Sequence, residues 1–442
     1  MESFHLWTIG CQMNKADSQR LGSALEQLGL REVGTADEAD LVVLNSCVVR
    51  QQAEDKVVGN LTWMKPWRSE DPNRVVALMG CMVGSKTDEL ARRFPFVDLF
   101  MPPQQYGPLL EFVGERAGLD WEGCVGSLAP AQPDVTSYVP IIHGCDLMCS
   151  FCIIPFLRGR QASRPVDELV HEVDLLVDRG VKEVTVLGQT VDAYGLDLPE
   201  KPGLGHLLAR LNDVSGLDRI RFLTSHPSFF TDEIIHAVAD LPKVCENINL
   251  PVQAGDDDVL KLMRRPYTRR EFKDLVGRIR DIIPHSSLAT DIIVGFPGET
   301  GEQFERTLDL ISELRPDKVH CAAYSPRPGT IAGRTMEDDV SKEEKTRRRV
   351  QLEDLQEGIL TEINSALLGQ EVDILVEGRR YGKWQGRTRT DKLVFFQSED
   401  EYLGQLVDLT ITQTSPWSLQ GEMVCLLYTS DAADEGLGVD LG

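Results

Sequence analysis

The chain has 442 residues, enough for about three ordinary domains, and its 42% apolar and 26% charged residues exclude a disordered or collagen-like chain. No stretch approaches the roughly 20 consecutive apolar residues of a membrane span, and residues 1–20 lack a secretory leader pattern, so we expect a cytoplasmic protein without membrane contacts. The net charge of −24 disfavours nonspecific nucleic-acid binding by the whole surface, but allows a local basic patch.

Three short apolar runs, each ending in a cysteine, come first along the chain. The runs are FHLWTIGC, DLVVLNSC and RVVALMGC, at residues 4–11, 40–47 and 74–81. A helix-like segment follows each of them, for example residues 13–29, and this alternation predicts an open parallel α/β sheet. Because the carboxyl ends of parallel strands share one edge of a sheet, we expect Cys11, Cys47 and Cys81 to converge there.

Three thiols without a fourth favour an iron–sulfur cluster over a structural zinc site. Structural zinc is usually held by four ligands. A four-iron cluster with only three cysteine ligands leaves one iron open to another molecule. We therefore predict that the N-terminal cysteines hold an iron–sulfur cluster, the alternative being three buried thiols at strand ends without a ligand.

A second cysteine triplet lies on one loop near the middle of the chain. Cys145, Cys149 and Cys152 form a C-x3-C-x2-C run within HGCDLMCSFCIIP, residues 143–155. Three thiolates so close together can bind one side of a compact inorganic centre. The spacing, with Phe151 before the last cysteine, resembles the fingerprint of the radical S-adenosylmethionine (SAM) enzymes. The alternatives are a zinc loop and buried free cysteines.

Strand-like runs then alternate with amphipathic helical segments. The runs lie at residues 183–188, 219–224, 247–252, 288–296 and 318–325. About six βα units fit between residues 138 and 335, which predicts a partial (βα)6 barrel. Sites in such barrels lie at the carboxyl ends of the strands. We therefore predict cofactor contacts, with a structural turn as the alternative, at Phe151, Gly188, Gln189, Gln253, Gly295 and Glu299. The segment Ser225–His226–Pro227 lies at another such strand end, where His226 either faces the pocket or, as is commoner for a lone loop histidine, is structural or solvated.

The last part of the chain predicts a helix and a small barrel. Residues 341–369 have a long helical pattern, and short strands with glycine turns follow at 371–397 and 403–424. They predict a small antiparallel β-barrel, similar to the RNA-binding TRAM domain of RNA-modifying enzymes. Basic and aromatic side chains alternate in residues 378–396, a mixture suited to phosphate contacts and base stacking. We therefore predict RNA binding, against the alternative of a charged hairpin without function, by Arg379, Arg380, Lys383, Arg387, Arg389 and Lys392.

The chain also carries a series of motifs that resembles the radical SAM methylthiotransferase family. The motifs are TIGCQMNKADSQRL, HGCDLMCSFCIIPFLRGRQASRP, LTSHPSFF, LPVQAGDDDVLKLMRRPYT, DIIVGFPGET, YSPRPGT and GRTRTDKLVFF. We divide the chain into an N-terminal α/β domain, a linker, a radical SAM core, a connecting helix, a TRAM-like barrel and a disordered or foreign tail. Their bounds are 1–126, 127–137, 138–340, 341–369, 370–425 and 426–442.

The resemblance implies two 4Fe–4S clusters with different roles. Cys11, Cys47 and Cys81 would hold an auxiliary cluster that carries sulfur, and the central triplet would hold the cluster that binds SAM. SAM would serve both as methyl donor and as the source of the radical that removes hydrogen from carbon 2 of an adenine. The other four cysteines match no motif position and are expected to be incidental: Cys124, Cys245, Cys321 and Cys425.

Within this family, the residues of three motifs are most similar to those of members that act on isopentenyl-adenosine beside the anticodon of tRNA. These are GCQMN, TSHP and GRTRT, at residues 10–14, 224–227 and 386–390. The alternative substrates are threonylcarbamoyl-adenosine in tRNA and an aspartate of a ribosomal protein. An alternative from another class is a non-catalytic metal-cluster RNA-binding protein. The resemblance also implies a sulfur source and an electron donor such as a flavodoxin or ferredoxin.

Overall fold

A computed structural model describes residues 1–47, 51–84, 87–118 and 133–424. These residues form an N-terminal parallel sheet with helices, a central partial barrel and a small C-terminal β-barrel. Apolar side chains form separate cores in the three parts. The predicted α/β fold class is therefore confirmed.

The N-terminal part is an open sheet with helices on both faces. Its elements are β1 (Ser3–Ile9), α1 (Gln12–Gln27), β2 (Arg31–Glu32), β3 (Leu41–Ser46), α2 (Gln51–Glu70), β4 (Val75–Gly80), α3 (Thr87–Arg93), β5 (Leu99–Met101) and α4 (Gly107–Ala117). The strands are all parallel, in the order β2-β1-β3-β4-β5. Strands β3 and β4 are buried along their whole length because their alternate side chains enter two different cores.

The central part alternates strands and helices, as predicted. Its elements are β6 (Thr136–Pro140), β7 (Ile142–His143), α5 (Ile154–Arg158), β8 (Ala162–Ser163), α6 (Val166–Asp178), β9 (Glu183–Leu187), α7 (Leu204–Asn212), β10 (Arg219–Phe222), α8 (Asp232–Asp240), β11 (Asn247–Asn249), α9 (Asp257–Leu262), α10 (Arg269–Ile282), β12 (Ser287–Val294), α11 (Gly301–Leu314), β13 (Lys318–Ala323) and α12 (Ile331–Thr335). Strands β6-β9-β10 and β11-β12-β13 pair in parallel, and a bridge between Ile220 and Val244 joins the two halves. The predicted partial barrel is confirmed.

The C-terminal part is a long helix and a closed five-stranded barrel. Its elements are α13 (Lys342–Ser365), β14 (Glu371–Arg380), β15 (Lys383–Thr388), β16 (Leu393–Phe396), β17 (Leu406–Thr414) and β18 (Leu419–Met423). The strand order is β14-β15-β16-β18-β17. The barrel is antiparallel as predicted except for β16 and β18, which are parallel because β18 inserts between β16 and β17.

The small barrel and the N-terminal sheet contact opposite ends of the central strands. Buried Arg219, the first residue of β10, binds Asp373 of the small barrel at 2.6 Å. The small barrel therefore lies at the amino ends of the central strands. At the carboxyl end of β9, Leu187 packs against Met13 and Ala16 of α1. The N-terminal sheet consequently lies at the end where barrels of this kind carry their sites.

Candidate functional site

The carboxyl ends of β1, β3 and β4 bring the three N-terminal cysteines together. Cys47 and Cys81 directly follow β3 and β4, and their amides donate to the carbonyls of Ile9 and Ser46, each at 2.9 Å. A hydrogen bond with the Cys47 thiol lowers the pKa of Cys11 to about 6, and Cys81 interacts electrostatically with Cys11. The three thiols share one edge of the sheet, while their role as ligands stays a prediction.

Two buried asparagines that the sequence analysis missed hold these strand ends. Asn14 Nδ2 donates to Asn45 Oδ1 at 2.9 Å and to the Ser46 carbonyl at 3.1 Å. Asn14 Oδ1 accepts from the Cys11 amide at 3.3 Å. Both asparagines are fully buried, and buried amides are stable only when hydrogen-bonded in this way. Their positions, three residues after Cys11 and two before Cys47, are the signal in the sequence.

Gly80 allows β4 to pass close to β3 just before Cys81. Its φ of +104° lies in the region that favours glycine. A Cβ at this position would lie 2.4 Å from the Ser46 carbonyl oxygen. Any side chain here would displace the end of β4, and with it Cys81, from β3.

The central cysteines lie on the loop between β7 and α5. The Cys145 amide donates to the Gly159 carbonyl at 3.2 Å, and the Cys152 amide donates to the Cys149 carbonyl at 3.1 Å. Burial, with added repulsion from Cys149 and Cys145, raises the pKa of Cys152 to about 12. The three thiols therefore lie close together. Phe151 is half-buried and packs against the core of the barrel.

Donor groups point at the sulfur atoms of this loop. The Leu147 amide donates to Cys145 Sγ at 3.4 Å, and buried Arg265 donates to Cys149 Sγ at 3.6 Å. Sulfur-directed N–H donors and three thiols fit an iron–sulfur cluster. In the described ranges, no group of three His, Cys, Asp or Glu side chains is placed to hold a single metal ion.

A group of buried polar atoms lies beside Cys145, in the loops after β9 and β10. Among the residues described, four side-chain atoms there have no hydrogen-bond partner: Gln189 Oε1, Asp192 Oδ1, Ser225 Oγ and His226 Nε2. The group adjoins the cysteine loop because Thr190 Oγ1 lies 3.4 Å from Cys145 Sγ. Buried polar atoms without protein partners are the kind that a polar ligand or ordered water satisfies.

The charges in this polar group are suppressed by burial. Burial raises the pKa of Asp192 to about 8 and lowers the pKa of His226 to about 3. Both side chains are therefore largely uncharged at neutral pH, and together they suit the hydroxyl and base nitrogen atoms of a nucleoside such as that of SAM. The sequence predicts Gln189 as a cofactor contact and places Ser225 and His226 at a strand end where such contacts are expected. The preference for a structural or solvated His226 overlooked its unpartnered, buried Nε2.

Two other predicted cofactor residues are engaged by helix α13. Glu299 accepts from the Gly295 amide at 2.5 Å and binds Arg348 Nη1 at 2.8 Å. The Lys345 side chain fills the space beside Gly295, where a Cβ would lie 2.3 Å from Lys345 Cγ. These two residues therefore fasten the helix to the barrel. Sequence patterns did not indicate this packing, because the helix comes about fifty residues later in the chain.

The remaining predicted cofactor residues occupy crowded or strained turns. A Cβ at Gly188 would lie 2.2 Å from Ile142 Cγ2, so the glycine allows close packing of two strands. Gln253 has a φ of +75°, and Thr224 after β10 has a φ of +72°. Such conformations are strained for residues other than glycine and concentrate at functional sites. Both lie at carboxyl ends of the barrel strands.

Four of the six predicted RNA-binding side chains make ion pairs within the protein. The pairs are Arg389–Glu246, Lys392–Asp317, Arg387–Asp391 and Arg379–Glu401, at 2.7, 2.9, 2.9 and 3.2 Å. The first two join the small barrel to the amino ends of the central strands. Trp384 and Phe396 are also buried, in the core of the small barrel, so neither is available to stack on a base.

The turn between β14 and β15 lies at the opposite end of the small barrel. Arg379, Arg380 and Lys383 flank the turn between β14 and β15, and Tyr381 at its tip is 84% exposed. The Arg380 guanidinium lies 4.9 Å from the centroid of the Tyr381 ring. Trp417, which is 63% exposed, is a second exposed aromatic that the sequence analysis missed because it lies outside residues 378–396.

The other cysteines lie in different environments. Burial raises the pKa of Cys245 to about 11 and that of Cys321 to about 12, which disfavours the reactive thiolate form of both. Cys124, Cys425 and the predicted tail at 426–442 lie outside the described residues. Within the part of the chain that is described, no helix is both long and apolar enough to span a membrane.

Comparison with known families finds three matches in chain order. Residues 3–102 match the Uncharacterized protein family UPF0004, residues 139–311 match the Radical SAM superfamily, and residues 366–424 match the TRAM domain. The chain is 46% identical over 426 residues to a tRNA-2-methylthio-N(6)-dimethylallyladenosine synthase of Herpetosiphon aurantiacus, covering 95% of this chain and 97% of that protein. It is 47% identical to the synthase of the same name from Dehalococcoides mccartyi strain 195, over 97% of this chain and 100% of that protein.

Solved structures show a similar fold. The radical SAM methyltransferase TsrM from Kitasatospora setae, with tryptophan substrate and a SAM analogue bound, has a TM-score of 0.57 and 15% sequence identity. The alignment covers 75% of each chain. At this identity the likeness concerns the fold alone.

Proposed function

Because this chain belongs to the family of tRNA-2-methylthio-N(6)-dimethylallyladenosine synthases, we propose a role for each part of the site. The chain is a radical SAM methylthiotransferase that uses SAM and 4Fe–4S clusters. It adds a methylthio group to carbon 2 of isopentenyl-adenosine (dimethylallyladenosine) beside the anticodon of tRNA. The names of its relatives favour neither the other substrates nor a non-catalytic protein.

The two cysteine triads are the proposed cluster sites. Cys145, Cys149 and Cys152 hold the cluster that binds SAM, and the N-terminal triad holds the auxiliary cluster. When bound, the first cluster supplies the electron that cleaves SAM and the second supplies sulfur. The observation that carries this proposal is the grouping of three thiols, twice, at the facing ends of two parallel-strand domains.

The polar group after β9 and β10 is the proposed SAM pocket. Asp192 Oδ2 accepts from the His226 amide at 2.7 Å, which fixes the two loops to each other. The unpartnered atoms of Gln189, Ser225 and His226 are left to bind polar atoms of the nucleoside. Since the pocket is buried, SAM bound there is held away from water, which protects a reactive radical from side reactions.

The turn between β14 and β15 is the proposed tRNA contact of the small barrel. Its basic side chains suit phosphates, and exposed Tyr381 suits stacking on an unpaired base. Arg389 and Lys392 instead position the small barrel through their ion pairs with Glu246 and Asp317, while Arg387 is paired within the barrel. Because this barrel lies at the amino ends of the central strands, the tRNA must extend along the central barrel to bring its anticodon loop to the cysteines.

Further components follow from the chemistry. An external electron donor, such as a flavodoxin or ferredoxin, and a sulfur source are needed, and we place the reaction in the cytoplasm.

We also assign the functional units to the domain boundaries given above, with the auxiliary cluster in residues 1–126 and the radical SAM core in residues 138–340.

A nucleoside assay tests the function directly. Full-length protein, loaded anaerobically with iron and sulfide, is incubated with SAM, a reductant and tRNA that carries isopentenyl-adenosine. Mass spectrometry of the digested tRNA should show the methylthio derivative. The matched controls are the same tRNA without the isopentenyl group and a tRNA that carries threonylcarbamoyl-adenosine, and both should stay unmodified. Methylthiolation of threonylcarbamoyl-adenosine alone, or of neither nucleoside, would contradict the assignment.

A further inference from the structure

An arginine of the central barrel reaches the cysteines of the N-terminal sheet. Arg158 is the last residue of α5, six residues after Cys152. Its guanidinium lies beside the Cys81 thiol and interacts electrostatically with Cys11. A charged group from one domain therefore completes the surroundings of a thiol centre that belongs to another domain.

One side of this guanidinium is anchored. Arg158 Nη2 donates to Asp17 Oδ2 at 3.2 Å, and the two side chains are only 3% and 1% exposed. Tyr106 OH donates to the other carboxylate oxygen of Asp17 at 3.3 Å. Asp17 lies on α1, the helix that begins directly after Cys11. The planar guanidinium is thus held in one orientation relative to the thiols.

A nitrogen on the other side of the guanidinium lacks a hydrogen-bond acceptor. Arg158 Nη1 is buried and has no hydrogen-bond partner among the described residues. Arginine stays charged in proteins, and a buried N–H donor without an acceptor is costly. Since the adjacent groups are the cysteine thiols, the missing acceptor is expected on the centre that these thiols bind.

We propose that Arg158 is a positioning residue that donates a hydrogen bond to a sulfur atom of the auxiliary centre held by Cys11, Cys47 and Cys81. This inference rests on the proposed function. Three thiolates give the centre negative charge, which a buried cation stabilises strongly because the surroundings have a low dielectric constant. Removal of the cation disfavours the reduced state, which carries one more negative charge, so the reduction potential becomes more negative.

The arginine beside the central cysteine triad comes from the same domain as the cysteine that it contacts. Arg265 donates to Cys149, but it belongs to the same domain and binds the Pro251 carbonyl at 2.8 Å. Arg158 is supplied across a domain boundary, so correct docking of the two domains is needed to complete the auxiliary centre. The same docking surface carries a second ion pair, Arg20–Glu172 at 2.8 Å, which does not contact the thiols in the described structure.

A redox titration of full-length protein tests the proposal. Cys145, Cys149 and Cys152 are replaced by alanine so that only the auxiliary cluster gives a signal in electron paramagnetic resonance. In this background Arg158→Gln should shift the ratio of reduced to oxidised cluster at least tenfold toward oxidised, which is about 59 mV for one electron. Arg158→Lys, which keeps the charge, should stay closer to the parent. Arg20→Gln, the matched control at the same interface, should leave the potential unchanged.

The potentials and iron contents of the variants decide whether Arg158 acts on the auxiliary cluster. An unchanged potential in Arg158→Gln, or an equal shift in Arg20→Gln, would overturn the proposal. If Arg158→Gln does not retain iron, Arg158→Lys decides: retained iron with a potential near the parent supports a charge effect, and lost iron overturns it. If the parent with the three alanines binds no iron at all, the proposed auxiliary cluster itself is wrong, a failure that is distinct because it appears before any arginine is changed.

Discussion

The two cysteine triads differ in how the chain assembles them. Cys145, Cys149 and Cys152 lie within eight residues on one loop, whereas the N-terminal cysteines are 36 and 34 residues apart and meet only because three parallel strands end at the same edge. A local loop can place its thiols by its own turns. The N-terminal triad depends on strand register, on Gly80 and on the Asn14–Asn45 pair. The difference shows that a metal centre can be encoded by topology as well as by spacing.

The largest expected effect separates the roles of the two triads. Cys149→Ala removes a ligand of the SAM cluster, so SAM cleavage to 5′-deoxyadenosine should fall to background while tRNA binding is unchanged. Chromatography of the nucleoside product and a filter-binding assay measure the two properties. Substantial SAM cleavage by this variant would contradict the assignment of the central loop.

Loss of a cysteine from the N-terminal triad tests the same division of roles from the other side. Cys81→Ala should leave SAM cleavage largely intact but abolish the methylthio product, because the sulfur-carrying centre is lost. The same two product assays, nucleoside chromatography and mass spectrometry of digested tRNA, are used. Cys245→Ala, a buried thiol outside both triads, is the matched control and should retain both activities. Loss of SAM cleavage in Cys81→Ala would break the division of roles.

The next prediction tests the dependence of the N-terminal triad on topology. Gly80→Ala forces a Cβ against the Ser46 carbonyl in a left-handed conformation, so we expect a loss of about 3 kcal/mol in the free energy of unfolding. The iron content should fall toward that of the SAM cluster alone. Gly34→Ala is the control, since no atom lies within 4 Å of its added Cβ. Denaturant unfolding and iron analysis measure both effects, and equal stability of the two variants would refute the argument.

The contrast between local spacing and assembled topology also explains how much of the structure the sequence could predict. The strands, both triads and the partial barrel were predictable because apolar runs and cysteine spacing are local features. The ion pairs that engage Arg389 and Lys392 were not, because their partners Glu246 and Asp317 lie 143 and 75 residues away and are selected by domain docking. The two loops of the polar pocket were predicted from the strand ends, but most of its side chains were not, for a similar reason. Its residues come from two loops, and their burial becomes visible only when the barrel is assembled.

A pH-dependent effect tests the pocket that adjoins only the central triad. Burial raises the pKa of Asp192 to about 8, so the folded chain keeps a proton that the unfolded chain releases above about pH 4. The unfolding free energy therefore falls as pH rises between these values, by at most about 1.4 kcal/mol per unit. Asp192→Asn removes this dependence, and its melting temperature relative to wild type should rise from pH 5 to pH 8. A constant difference would show that Asp192 is ionised in the folded protein.

The smallest expected effect concerns the small barrel, which lies far from both triads. Tyr381→Ala should weaken tRNA binding by about 1–3 kcal/mol if the ring stacks on a base. Arg379→Ala should lower the salt dependence of binding by roughly one phosphate contact. Arg210→Ala, an exposed arginine of the central barrel, is the control. Fluorescence anisotropy at several salt concentrations measures these changes, and unchanged binding in both variants would remove the turn from the tRNA surface.

Iron analysis of matched triple variants tests the central claim, that two separate triads each hold one cluster. After anaerobic loading, wild-type protein should contain about eight irons per chain. Replacement of Cys11, Cys47 and Cys81 by alanine should leave about four, and so should replacement of Cys145, Cys149 and Cys152. Retention of all the iron by either triple variant, or one or two zinc ions per chain in place of iron, would contradict the account.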